Sequence, residues 1–201
     1  MMRDLVLKNR SYRRFYQDHR VEADTVRDLI DMARVCASAM NQQPLKYAFT
    51  CEPGRNAQVF PHLTFARQLK DWGGPVEGER PAAYIVVLGD TRVMRSFGCD
   101  HGVAAQTILL GAVERGLGGC MLASVDREGL RRALGIPPHL EILLVLALGK
   151  PREKVVLEDV KPDGDCAYWR DGEGVHHVPK RRLEDIIVAC SRGDGGITER
   201  I

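Results

Sequence analysis

"GVAAQTILLGAVERGLGGCML", residues 102–122, is the stretch on which the fold turns. Drawn as a helix, it carries small and apolar side chains on nearly every side, and Gly116 and Gly118 supply its stop. A helix apolar all round belongs at the centre of a core. "CMLAS" (120–124) then reads as a short strand. Working outward, "AAYIVVLGD" (82–90) and "EILLVLALGKP" (141–151) are continuous apolar, β-branched runs, the pattern of buried strands. Between them "DREGLRRALGI" (126–136) predicts a helix with Asp126 as N-cap and Gly135 at its end.

Toward the N-terminus, "VEADTVRDLIDMARVCASAM" (21–40) is amphipathic, with Val26, Leu29, Ile30, Ala33 and Val35 on one face. It stops before Pro44, which biases Gln43 away from helix. "KYAFTCE" (46–52) is a strand, "NAQVFPHLTFARQLKDW" (56–72) is helical after Pro61, and "GGPVEGER" (73–80) is a loop. A short helix from Met1 to Asn9 precedes all of these. After Pro151 the chain turns polar and irregular until "RRLEDIIVAC" (181–190), a last amphipathic helix. The whole is α+β, one sheet flanked by helices. It forms a single domain over residues 1–190, with 191–201 as a flexible tail.

Composition narrows the function. The 201 residues suffice for one core, and 44% apolar with 28% charged residues is ordinary for a globular chain. A net charge of +2 gives no global basic field for nucleic acid. No apolar run approaches the roughly 20 residues that span a bilayer, and Arg3 and Asp4 interrupt any secretory leader, so the expected location is cytoplasmic. The six cysteines include no C-x-x-C pair and read as reduced thiols, with no metal site. His176 and His177 adjoin but face opposite ways on a strand. Asp100 and His101 stand at a helix start, where capping is the simplest role.

No G-x-S-x-G, H-E-x-x-H, P-loop or correctly placed G-x-G-x-x-G is present. Any hard chemistry therefore belongs to a bound cofactor. Two basic clusters suit a phosphate: Arg10, Arg13 and Arg14 around Ser11, and Lys180, Arg181 and Arg182 near the other end. The plainer reading of the first cluster is a solvated basic helix end.

The ordered set "NRSYRRF", "ASAMNQQPLKYAF", "GVAAQTILLGAVERGLGGCML" and "LGIPPHLEILLVLALGKP" resembles the nitroreductase family of flavin enzymes, over about Asp4 to Arg182. The resemblance implies a central mixed or antiparallel sheet and an FMN-binding homodimer, with each FMN at the interface and touching both chains. Matched position by position, it implies that Arg10 and Ser11 hold the phosphate and ribityl chain and that Arg13 reaches the pyrimidine edge of the ring. Ser38, Ala39, Asn41 and Gln43 match the segment supplied by the partner subunit. Met121, Leu122 and Ala123 match the strand whose backbone lies near N5, and Lys180 and Arg182 the late basic residues that close on the phosphate. Arg14 is expected to be a solvated neighbour. Asn9, Ala37, Leu45 and Met121 depart from the family pattern: Asn9 shifts the phosphate charge onto Arg10 and the Lys180–Arg182 pair, and the others touch the ring environment.

The function so implied is an oxidoreductase that passes hydride from NADH or NADPH through flavin N5 to a nitroaromatic, quinone or similar small acceptor, by ping-pong turnover in one pocket. No catalytic acid or base is required, and Arg13 is the residue expected to tune the flavin. Two other classes stay open: an FMN carrier or redox sensor without turnover, and other flavin chemistry such as dehalogenation or flavin breakdown.

Overall fold

The architecture is that of a computed structural model, which describes residues 1–161 and 164–188. Contacts group the chain into two units, Met1–Glu153 and Lys154–Ile201. In the first unit the elements run α1 (Met2–Lys8), β1 (Phe15–Tyr16), α2 (Ala23–Arg34), β2 (Leu45–Thr50), α3 (Pro53–Val59), β3 (Ala83–Asp90), α4 (Asp100–Glu114), β4 (Gly118–Leu122), α5 (Arg127–Leu134) and β5 (Leu140–Pro151). The sheet order is β1-β5-β3-β2, with β4 also on β5, and every strand pair is antiparallel.

All eight residues of β3 are buried, which is why its sequence shows no alternation. Its odd and even positions serve two different cores. Ala83, Ile85 and Val87 face α2 and α4, meeting Leu29, Ala104 and Ile108. Tyr84, Val86 and Leu88 face the other layer, with Val59 of α3 and Leu130 of α5. The small residues of α4 let α2 approach closely: a Cβ at Gly111 would lie 2.8 Å from Leu29 Cδ2 and 2.9 Å from Met32 Sδ. The helix is not enclosed within one chain, however. Gly102, Val103 and Gln106 are exposed and Thr107, Leu110 and Val113 half-buried, so one apolar face is left uncovered.

Several boundaries differ from expectation. The helix expected after Pro61 lies before it: Pro53 opens α3 at its first turn, where a missing N–H costs nothing, and Phe60–His62 tightens into a 3₁₀ turn that ends the element. α2 ends at Arg34, because the next residues turn inward to meet the start of α4. Asp126 does cap α5, accepting the Gly129 N–H at 3.0 Å, and Gly135 ends it at φ +65°.

The second unit is not irregular. β6 (Val155–Asp159), β7 (Trp169–Arg170) and β8 (His176–Lys180) form a sheet of order β6-β8-β7, with β6 and β8 parallel. Its polar loop residues hid these strands. Of the last expected helix only one turn forms, α6 (Leu183–Ile186); Leu183, Ile186, Ile187 and Val188 are exposed, and an isolated turn with an unburied apolar face does not propagate. Ala189, Cys190 and the 191–201 tail lie outside the described residues.

Candidate cofactor site

α1 stops at Asn9, and the next residues run extended along the outer side of β4. Ser11 makes a parallel bridge to Gly119, and the Tyr12 N–H donates to the Gly119 carbonyl at 3.0 Å. Gly118 is required here, because a Cβ would sit 2.5 Å from the Tyr12 ring. Antiparallel pairing alternates, so Gly119 and Met121 turn their N–H and C=O groups away from β5 while Cys120 and Leu122 turn theirs toward it. Beyond the Ser11 bridge, no strand among the described residues covers that outer edge.

The three arginines then separate. Arg10 donates to the Val6 carbonyl at 2.7 Å and has no acidic partner among the described residues. Arg13 donates to the Ser11 carbonyl at 3.2 Å and approaches the Cys120 thiol, whose pKa burial pushes up, with Arg13 opposing the shift. Arg14 is not the solvated neighbour expected: it makes a two-point ion pair with Glu79, Nε to Oε2 at 2.7 Å and Nη2 to Oε1. Glu153 accepts the main-chain N–H groups of both Arg13 and Arg14, the latter at 3.1 Å. Two buried carboxylates thus fix the backbone on which Arg13 is carried. Neither carried a sequence signal, because they stand 65 and 139 residues from Arg14.

The Ser38–Gln43 segment forms a separate cluster. Ser38 Oγ donates to Asp100 Oδ2 at 2.6 Å, and the Ala39 N–H donates to Oδ1 at 3.1 Å. The Gln43 N–H returns to Ser38 Oγ at 3.0 Å, and Gln43 Nε2 reaches Asn41 O and Oδ1, each at 3.2 Å. Asp100 therefore holds this loop, and Cys99 stands at the N-cap of α4 in its place. Beside the loop, Ser38, Tyr47, Leu45, Ile30 and Asp100 line an open cleft of about 700 Å³. Gly119 packs on Leu109, nine residues along α4 from Asp100 and so about 13 Å away along the helix axis. The basic strap and the loop are thus anchored at different levels of one helix.

Met121 is 38% exposed; the Leu122 side chain is core, and Ala123 is exposed just past β4. Lys180 ends β8 and Arg182 precedes α6, both exposed and both in the second unit. His176 is buried, while His177 stacks on Trp169 with ring centroids 4.0 Å apart.

The sequence model of the Nitroreductase family matches residues 6–150, which is most of the chain. The chain belongs to the nitroreductase family. A Methanothermobacter thermautotrophicus protein, provisionally named an NADH dehydrogenase/NAD(P)H nitroreductase, is 29% identical over 161 residues, 77% of this nitroreductase-family chain and 80% of that protein. The fold matches the crystal structure of a nitroreductase family protein from Streptococcus pneumoniae with a TM-score of 0.66 at 18% identity, covering 81% and 96% of the two chains. It also matches an FMN-dependent nitroreductase from Clostridium difficile with a TM-score of 0.60 at 20% identity, covering 74% and 87%. Membership supports oxidoreductase chemistry in general. Among the described residues no helix is long and apolar enough to cross a membrane.

Proposed function

We propose that this chain is an FMN-dependent oxidoreductase that takes hydride from NADH or NADPH and delivers it to a small acceptor such as a nitroaromatic or a quinone, as a cytoplasmic homodimer. The observation that carries the reading is the strap of Arg10, Ser11 and Arg13 laid along the open edge of β4. Its chemistry fits FMN. Arg10 is a cation without an acidic partner among the described residues, suited to a terminal phosphate. The Met121 N–H faces outward two residues along β4 from the Ser11 bridge, suited to a ring nitrogen.

Bound FMN would supply the two-electron chemistry by accepting and returning hydride at N5. The protein's part is to bind and orient. Arg10 and Ser11 would grip the phosphate and ribityl chain. The Arg13 cation, at the pyrimidine edge, opposes the negative charge left there by reduction. Of the Met121, Leu122 and Ala123 segment, Met121 turns its main-chain groups outward, whereas those of Leu122 pair with β5; a main-chain N–H at N5 would orient that atom without taking its hydride. Ser38, Ala39, Asn41 and Gln43 serve the second copy's FMN. Support for a second copy comes from apolar side chains a lone chain leaves in water: Met2, Val6 and Leu7 on α1, Val103 on α4, and Leu183 and Ile186 on α6.

The test is the purified full chain. Heat-released flavin should run as FMN on chromatography, and the bound flavin should bleach anaerobically on addition of NADH or NADPH. FAD in the supernatant, no flavin after reconstitution, or a flavin neither nucleotide bleaches would each overturn the reading.

A further inference from the structure

Asp100 stands in the first turn of α4 with 5% of its surface exposed, and no ion pair among the described residues reaches it. A buried carboxylate without a cation is costly, and an apolar side chain would serve the core better. Two things offset the cost: the positive end of a 15-residue helix, and hydrogen bonds from the Ser38 hydroxyl and the Ala39 N–H. The Ser38 oxygen in turn accepts the Gln43 N–H, so the Ser38 hydroxyl links the far end of the Ser38–Gln43 loop to the carboxylate.

The loop needs closing. Met40, Asn41 and Gln43 have φ of +50°, +53° and +50°, left-handed conformations disfavoured for side chains larger than glycine's. Packing does not impose them, since Met40 is 81% exposed and Asn41 and Gln43 are exposed as well. Strain that persists on an exposed loop must be held by its hydrogen bonds: the turn bonds from the Asn41 N–H to the Ser38 carbonyl and from the Gln42 N–H to the Ala39 carbonyl, the Gln43 amide on Asn41, and the Ser38 and Ala39 contacts that tie the turn to Asp100.

We infer that Asp100 is a positioning residue: through Ser38 it locks the Ser38–Gln43 loop in the strained form that presents Asn41 and Gln43 to the FMN of a second copy. The inference rests on the proposed function for the identity of the ligand, but not for the lock. Asp100 touches no reacting atom; it acts by holding the groups that bind.

The test uses the full chain and three variants, Asp100→Ala, Asp100→Asn and Ser38→Ala. It follows amide hydrogen exchange at Ala39 and Gln43, FMN affinity by titration, and the melting temperature. Asp100→Ala should speed exchange at both amides and weaken FMN binding by about tenfold or more at temperatures where the chain stays folded. Asp100→Asn keeps an acceptor of the same shape and should restore most of both. Ser38→Ala should speed Gln43 while sparing Ala39, and it keeps the test open where Asp100→Ala is too unstable to purify. Unchanged exchange at Gln43 in Ser38→Ala would overturn the lock. A loosened loop with unchanged FMN affinity would overturn its role toward the cofactor. A native chain that binds no FMN counts against the proposed function, while the exchange measurements still judge the lock.

Discussion

Arg14 and Glu79 are joined at two points, with the Arg14 side chain 30% exposed and that of Glu79 only 10%. Removing the arginine strands a nearly buried carboxylate. Arg14→Ala should therefore cost about 2 kcal/mol of stability, less than a fully buried pair because water still reaches the guanidinium. Calorimetry should show a melting temperature lower by several degrees, with the flavin potential unmoved. Its neighbours should behave oppositely. Arg10→Ala should weaken FMN binding by roughly ten- to hundredfold at nearly unchanged potential, since a charge-assisted contact is worth about 1.5–3 kcal/mol. Arg13→Ala should lower the potential and slow flavin reduction at saturation. If Arg10→Ala and Arg13→Ala leave flavin binding and potential alone, the strap is only a solvated helix end. The cluster of these arginines was legible in the sequence, where a phosphate seat and a solvated helix end were both open readings. That Arg14 faces another way was not, because its direction is set by two glutamates brought in from distant loops.

Among the elements, β8 carries a pH-sensitive contact. His177 Nδ1 lies 3.1 Å from Glu158 Oε2 on β6, and its Nε2 lies 3.1 Å from Asp171 Oδ2 just after β7. Trp169 stacks on the ring and donates its indole N–H to Glu158, while Lys161 lies near that carboxylate and the buried His176 adjoins in sequence. A neutral imidazole has one N–H and cannot donate to both carboxylates; the imidazolium can. The hydrogen bonds to Asp171 and then Glu158 raise the His177 pKa above 6.5. Glu158 and Asp171 are lowered, by the Trp169 and His177 hydrogen bonds respectively. The histidine's contribution is thus fully present below about pH 6.5 and lost as pH rises through the higher folded value. That of the carboxylates is present above about pH 4.5 and lost as pH falls through their lowered values. The small sheet should be firmest between those limits. Trp169 fluorescence should titrate with a midpoint above 6.5, and His177→Gln should abolish that titration; a midpoint at or below 6.5 would refute the contact. Only the strand weighed for His176 and His177 had any trace in the sequence; polar loops hid the rest of this sheet. The buried β3 and β5 were plain, because burial on both faces leaves an unbroken apolar run.

At the scale of the molecule, an uncovered face of α4 and an α1 without a single buried residue leave a lone chain with much apolar surface in water. An obligate partner of the same sequence should bury more than about 2,000 Å². Sedimentation at micromolar concentration should therefore give a dimer, and a flavin-loaded monomer would contradict it. The all-round apolarity of residues 102–115 was legible in the sequence, and the part of it that one chain leaves exposed is what this prediction rests on. The sequence could not show how the Ser38–Gln43 loop is held, since that depends on Met40 and Gln43 taking a left-handed conformation that, unlike Asn41, they do not favour. The open side of β4 has a further consequence. Past the single bridge at Ser11, its outward main-chain groups meet no other strand among the described residues, an edge of the kind that recruits other strands into aggregates. If FMN lies along that edge, the cofactor also acts as its stopper. Cofactor-free chain should then clump where loaded chain stays dispersed.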